Sequence, residues 1–224
     1  MHNLRIPIEP YKGDLSGVAH YLDEMNFQLL TQIAPYKNNN IWTALSLHGF
    51  GSNASDIFKP GFVDTKVEVD TQLQWTSLFN EPIMKPIREM ISKLPCNFER
   101  IRFTKLVAGK TLKKHTDNID DDIKNKKIAR LHIPIRTNND VIFTFYENEN
   151  DLKGKLFNLK TGHYYYLDVT KHHSVSNNSN IDEESIGSNE RSSFDDSIKE
   201  ETIIEEGESE IGETFREGEH TKEE

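Results

Sequence analysis

The chain has 224 residues, with 37 Asp or Glu against 27 Lys or Arg and a formal net charge of −10. Its mean hydropathy is −0.68, and an apolar content of 35% is low for a uniformly folded chain of 25.9 kDa. No apolar run of about 18 residues exists to span a bilayer, and Cys96 is the only cysteine, which excludes an intramolecular disulfide and a cysteine-rich zinc module.

In chain order, Met1 to Pro10 has no basic region followed by a long apolar core and does not read as a signal peptide, so a cytoplasmic protein is expected. Residues 14–25 predict a helix: Asp14 can cap it, and Leu15, Val18, Ala19, Leu22 and Met25 recur at helical spacing. Asn40 to Gly51 reads as a strand around Ile41, Trp42 and Ala44 to Leu47, closed by Gly-Phe-Gly. Residues 52–74 are polar, contain Pro60 and Gly61, and predict a long loop. A second helix is expected over about 82–94, with Ile83, Ile87, Met90, Ile91 and Leu94 on one stripe, Pro82 in its first turn and Pro95 as its stop.

After Pro95 the period changes from helical to alternating. Strands are expected at Ile101 to Val107, Ile128 to Ile135, Val141 to Tyr146, Lys155 to Leu159 and Tyr164 to Val169. Turn-formers separate them: Gly109, Asn138-Asn139-Asp140, Asp151 to Gly154 and Thr161-Gly162. Short strands spaced this way after two helices predict a mainly β fold, a sandwich or barrel with helices on its outside.

Three segments carry candidate chemistry. In His115-Thr116-Asp117, residues i and i+2 of an extended chain point to one side, so an imidazole and a carboxylate can converge on one cation. Solvated surface side chains are the plainer reading of so short a motif. In Ile128 to Ile135, strand parity puts Arg130 and His132 on one face and Ala129, Leu131, Ile133 and Ile135 on the other. If the aliphatic face packs against helices, the interior carries a guanidinium suited to a bidentate carboxylate; the alternative is an exposed strand with Arg130 paired to a surface acid. In Lys171-His172-His173-Ser174, a histidine after a strand can return to the end of the barrel that holds His115. Two histidines and one carboxylate with open positions are the facial donor set of non-haem Fe(II) oxygenases.

Five segments in this order, Arg100-Ile101-Arg102-Phe103, His115-Thr116-Asp117, Arg130 to Asn138, Gly162 to Asp168 and His173 to Asn177, resemble the aspartyl/asparaginyl β-hydroxylase family. The strand with Trp42 and Leu45 and the helix before Pro95 are similar to that family's N-terminal region, so the resemblance covers about residues 1–178. It implies a double-stranded β-helix (a jelly roll, cupin-like) and a dioxygenase using Fe(II) and 2-oxoglutarate. It implies His115, Asp117 and His173 as catalytic iron ligands, with His173 preferred over His172 because the pattern sets the ligand two before Val175 and four before Asn177. It implies Arg130 and His132 as contacts of the 2-oxoglutarate carboxylates, and an amino acid, or an aspartyl or asparaginyl side chain of a peptide, as the hydroxylated substrate. Loops 52–74 and 118–127, which would select that substrate, carry no readable code.

The family pattern continues about ten residues after the last ligand with an arginine heading an apolar strand. Here the next arginine is Arg191, 18 residues after His173, followed by a segment with Phe194 as its one large apolar residue. Arg191 is therefore the candidate cosubstrate cation, with Arg102 the alternative for the distal carboxylate if Arg191 has no role, and a missing closing strand would favour a non-catalytic cupin-like module that binds metal or a small acid. Residues 182–224 hold 17 acids against four bases, a net of −13, which leaves 20 acids and 23 bases before them. With so few large apolar residues the segment cannot offset its ordering entropy. A domain of residues 1–178 and an acidic, disordered tail of 179–224 are expected, the tail suited to a basic partner. No basic stripe appears, so nucleic acid is not an expected partner, nor is a membrane.

Overall fold

A computed structural model describes residues 3–25, 27–29, 41–57, 72–117 and 128–191. Its N-terminal part comprises β1 (Asn3–Arg5), α1 (Ser16–Asp23), β2 (Gln28–Leu29), β3 (Trp42–Gly49), β4 (Gln74–Trp75), α2 (Ser77–Asn80), a 3₁₀ turn (Pro82–Met84) and α3 (Lys85–Ile91). The strand-rich part follows: β5 (Asn97–Leu106), β6 (Thr111–His115), β7 (Ile128–Arg136), β8 (Val141–Phe145), β9 (Lys155–Phe157), β10 (Tyr165–Leu167), β11 (His173–Asn177) and β12 (Glu183–Arg191).

Helix α1 forms where its spacing predicts, and the Asp14 carboxylate accepts from the Ser16 backbone N–H at 2.8 Å. Leu15, Val18, Ala19 and Leu22 are buried. The second helix differs in phase. Pro82 opens a 3₁₀ turn with a tighter repeat, so Met84 is fully buried while Ile83, expected on the buried stripe, is exposed. At Gly162, expected as a turn, φ is +75° and a Cβ would stand 2.7 Å from the Tyr11 carbonyl oxygen, so only glycine fits both constraints.

Two antiparallel sheets face each other. The larger has the order β1-β10-β7-β12-β5-β3-β2, with β4 beside β3, and the smaller the order β6-β11-β8-β9. From β5 onward the chain winds between them so that the first and last strands, β5 and β12, are hydrogen-bonded neighbours. That order, β10-β7-β12-β5 facing β9-β8-β11-β6, is the double-stranded β-helix.

Strand parity divides the core. Ile101 and Phe103 of β5, Leu131, Ile133 and Ile135 of β7 and Ile186 of β12 pack against Leu15, Val18, Leu22, Ile87 and Met90 of the helical layer. Deleting one such side chain, as in Leu131→Ala, costs about 2–5 kcal/mol. Leu106, Leu112, Phe143, Phe145, Leu167 and Val175 fill the space between the sheets. The polar parity of β5 and β7 therefore faces the inter-sheet space.

The C-terminal expectation is corrected here. The fold does not stop at 178, and residues 183–191 are not a disordered tail: β12 pairs along its length with β5 on one side and β7 on the other. A central strand satisfies its backbone through two ladders, so it needs few large side chains. Ile186 supplies the apolar contact, and Glu184, fully buried, meets Arg136 at 2.6 Å and Lys105 at 3.6 Å. Nor does Arg191 head the closing strand; it ends it, in register with Asn97 and Ile128. The residue ten positions after His173 is Glu183. The expected tail beyond Arg191 lies outside the described residues, as do residues 58–71 and 118–127 of the two expected loops.

Candidate metal centre and the cavity beside it

The β6–β11 register sets His115 and His173 directly opposite each other. Their ring centroids are 4.2 Å apart, and Phe145, the β8 partner of His173, stacks on the His173 ring at 5.9 Å. Each imidazole is oriented through Nδ1, which donates to the carbonyl two residues earlier: Lys113 at 2.7 Å for His115 and Lys171 at 2.9 Å for His173. That bond fixes the tautomer in which Nε2 carries the lone pair, the form that ligates a metal. Burial, above all, pushes His173 down to about 4, so the ring is neutral at physiological pH.

Asp117 follows two residues after His115, where the chain leaves β6; its backbone N–H donates to the Val169 carbonyl at 2.9 Å. Its Oδ1 lies 3.4 Å from His115 Nε2, and its Oδ2 accepts from Arg130 Nη1. Burial alone would raise this carboxyl, but the Arg130 guanidinium and the two rings outweigh it and hold the group well below the usual carboxylate range. Donor atoms of His115, Asp117 and His173 all lie within 4.8 Å of one another. The structure thus brings together the three residues singled out in the sequence, with His173 and not His172 in the cluster. Two imidazole nitrogens and one carboxylate oxygen could hold a divalent cation with positions left over.

A cavity of about 750 Å³, counting its open mouth, extends from this cluster between the sheets. Its lining includes His173, Arg130 and His132, as strand parity predicts for β7, together with Arg100 and Arg102 of β5, Trp42 of β3, and Glu183 and Gly187 of β12. His132 Nε2 stands 3.8 Å from Glu183 Oε1, and both residues are more than nine-tenths buried. Burial, and then the charges of Arg100 and Arg130, push Arg102 down to about 9 against the pull of Asp117. Three guanidinium groups crowded into one cavity make it a receptor for an anion.

The cosubstrate cations expected from the sequence are Arg130, Arg191 and, as the alternative to Arg191, Arg102; the structure puts Arg102 on the cavity face and adds Arg100, which the sequence did not single out. The signal for this face was present: Arg102 alternates with Ile101 and Phe103 just as His132 alternates with Leu131 and Ile133. For Arg191 the backbone register is described and the side chain is not.

Among solved structures, the fold is similar to an oxidoreductase of the 2OG-Fe(II) oxygenase family from Burkholderia pseudomallei, at 9% identity over 79% of this chain and 78% of that one, with a TM-score of 0.46. It is also similar to the non-haem monooxygenase ThoJ in its nickel complex (12% identity, 50% of each chain, TM-score 0.35). The protein TT1209 from Thermus thermophilus shares 14% identity over 41% of this chain and 71% of its own, with a TM-score of 0.28. No curated protein matches the sequence. The family model for aspartyl/asparaginyl beta-hydroxylase matches residues 15–184, which takes in the helical layer, the His-Asp-His cluster and the start of β12. The chain belongs to the aspartyl/asparaginyl β-hydroxylase family.

Proposed function

We propose that the protein is an Fe(II)- and 2-oxoglutarate-dependent dioxygenase that hydroxylates an amino acid or an aspartyl or asparaginyl side chain of a peptide. The observation that carries this reading is the convergence of His115, Asp117 and His173 beside a cavity lined by Arg100, Arg102, Arg130 and His132. The donor set fits Fe(II): two neutral nitrogens bind it firmly, and one carboxylate offsets part of its charge. The cavity fits a dianion, because its guanidinium groups outnumber Glu183.

When bound, iron and its 2-oxo acid supply an oxidant able to hydroxylate an unactivated C–H bond. This chain's residues do the rest. His115, Asp117 and His173 hold the metal; Arg130 fixes the Asp117 carboxylate. Leu112, Phe143, Leu167, Val169 and Val175 give the cavity apolar walls that keep water from the reacting centre. The non-catalytic alternative rested on a missing closing strand, and β12 supplies that strand.

The test is iron-dependent conversion of 2-oxoglutarate to succinate by the full chain, offered a mixture of free amino acids and Asp- and Asn-containing peptides. His173→Ala is expected to abolish it and His172→Ala to leave most of it. Succinate formation that survives His173→Ala, or no iron-dependent formation by the wild type, would contradict the proposal.

A further inference from the structure

The register of the larger sheet places three cavity residues in one row: Arg102 of β5 pairs with Gly187 of β12, and Gly187 pairs with His132 of β7. Gly187 is the gap in that row. A Cβ built on it meets nothing within 4 Å, so the space between Arg102 and His132 on the cavity side is open.

The other two guanidinium groups of the cavity are engaged elsewhere. Arg130 donates to Asp117, and the Arg100 guanidinium lies over the Phe50 ring at 5.9 Å. Arg102 has the Ile57 carbonyl at 3.5 Å, the outer limit of a hydrogen bond. Across the gap, His132 Nε2 is buried with no hydrogen-bond partner among the described residues, as is Glu183 Oε1 beyond it. Unsatisfied buried polar atoms are costly and rare unless something binds there.

We propose that Arg102, reaching over Gly187 toward His132, is the anchor of the distal carboxylate of the 2-oxo acid, so that this site selects a 2-oxo diacid over a 2-oxo monoacid. The inference rests on reading the site as a 2-oxo acid site beside a metal. It moves the anchor from the closing strand, headed here by the carboxylate of Glu183, to β5. A guanidinium presents two parallel N–H donors to a carboxylate, and the open space above Gly187 is where the carboxylate sits.

The experiment is equilibrium binding of 2-oxoglutarate and of 2-oxobutyrate to the full chain loaded with Mn(II) under argon. The two acids share the 2-oxo carboxylate; only the first has a distal one. Wild type is expected to prefer 2-oxoglutarate by about 10- to 100-fold, the worth of a charged hydrogen-bonded pair. Arg102→Gln is expected to erase that preference while leaving affinity for 2-oxobutyrate and for Mn(II) unchanged, and Arg102→Lys to restore part of it. A folding defect would weaken all three ligands together. Gly187→Leu gives an independent arm: its Cβ enters open space, the rest of the side chain occupies the gap, and the variant is expected to lower 2-oxoglutarate affinity at least about tenfold, with 2-oxobutyrate little changed. An undiminished preference in Arg102→Gln, or no preference in the wild type, overturns the proposal and leaves the 2-oxo acid site standing. Failure of the Mn(II)-loaded wild type to bind either acid overturns that underlying reading as well.

Discussion

Arg130 and Asp117, thirteen residues apart, meet at the edge of the cavity, with the guanidinium donating to Oδ2 while Oδ1 faces His115. The carboxylate therefore has one oxygen held by the Arg130 guanidinium and the other turned toward His115. On the proposed reading, Arg130, expected as a cosubstrate contact, also aims the carboxylate that would ligate the metal.

Arg130→Lys keeps the charge and loses the planar fork, so it tests aim and not electrostatics. Partners that orient a ligand typically contribute about 10- to 100-fold to metal affinity, and a loss of that size is expected for Mn(II) binding followed by electron paramagnetic resonance. Unchanged Mn(II) affinity would return Arg130 to the cosubstrate alone.

Strand β12 lies at the centre of the larger sheet, between β5 and β7. Ending the chain after Asn180 exposes two strands' worth of unpaired backbone and removes Ile186 from the core. Such a chain is expected to lose its cooperative thermal transition, whereas one ending after Asp196 should melt within a few degrees of full length. A cooperative transition in the shorter chain would show that β12 contributes little to the fold.

The pattern of what could be read in the sequence follows from how each strand is stabilised. In β7, Leu131, Ile133 and Ile135 meet helices while His132 faces the cavity, so alternation alone assigned both faces correctly. In β12 one large apolar residue, Ile186, does that work. The opposite face needs room and not bulk, hence Ser185 and Gly187, and Glu184 is held by Arg136. Averaged with the acidic segment after it, such a strand has no apolar signature. Strands β6 and β11 were missed for a related reason: they are five residues each, with Leu112 and Val175 as their large apolar members. Their histidines were found through chemistry instead, and the cross-strand register that joins them is a tertiary property no local window holds.

Glu184 also makes stability depend on pH. Burial raises its carboxyl from the ordinary 4.5 to about 7, outweighing Arg136 and Lys105. A carboxyl raised on folding favours the folded state most when protonated, so its contribution is complete below about pH 4.5 and is lost as pH rises through 7. Glu184→Gln lacks that dependence. The melting-temperature advantage of wild type over Glu184→Gln is therefore expected to narrow from pH 5 to pH 8. An advantage that widens over that range would mean Arg136 and Lys105 outweigh burial.

The central claim is that one site joins a His115-Asp117-His173 metal centre to a 2-oxo acid cavity. Anaerobic titration of the full chain, first with Fe(II) and then with 2-oxoglutarate, tests both halves in one cuvette. The account predicts a weak visible charge-transfer band that grows with 2-oxoglutarate to one equivalent per chain and is absent in His173→Ala. No band in a wild-type chain that has taken up one equivalent of Fe(II), or an undiminished band in His173→Ala, would contradict it.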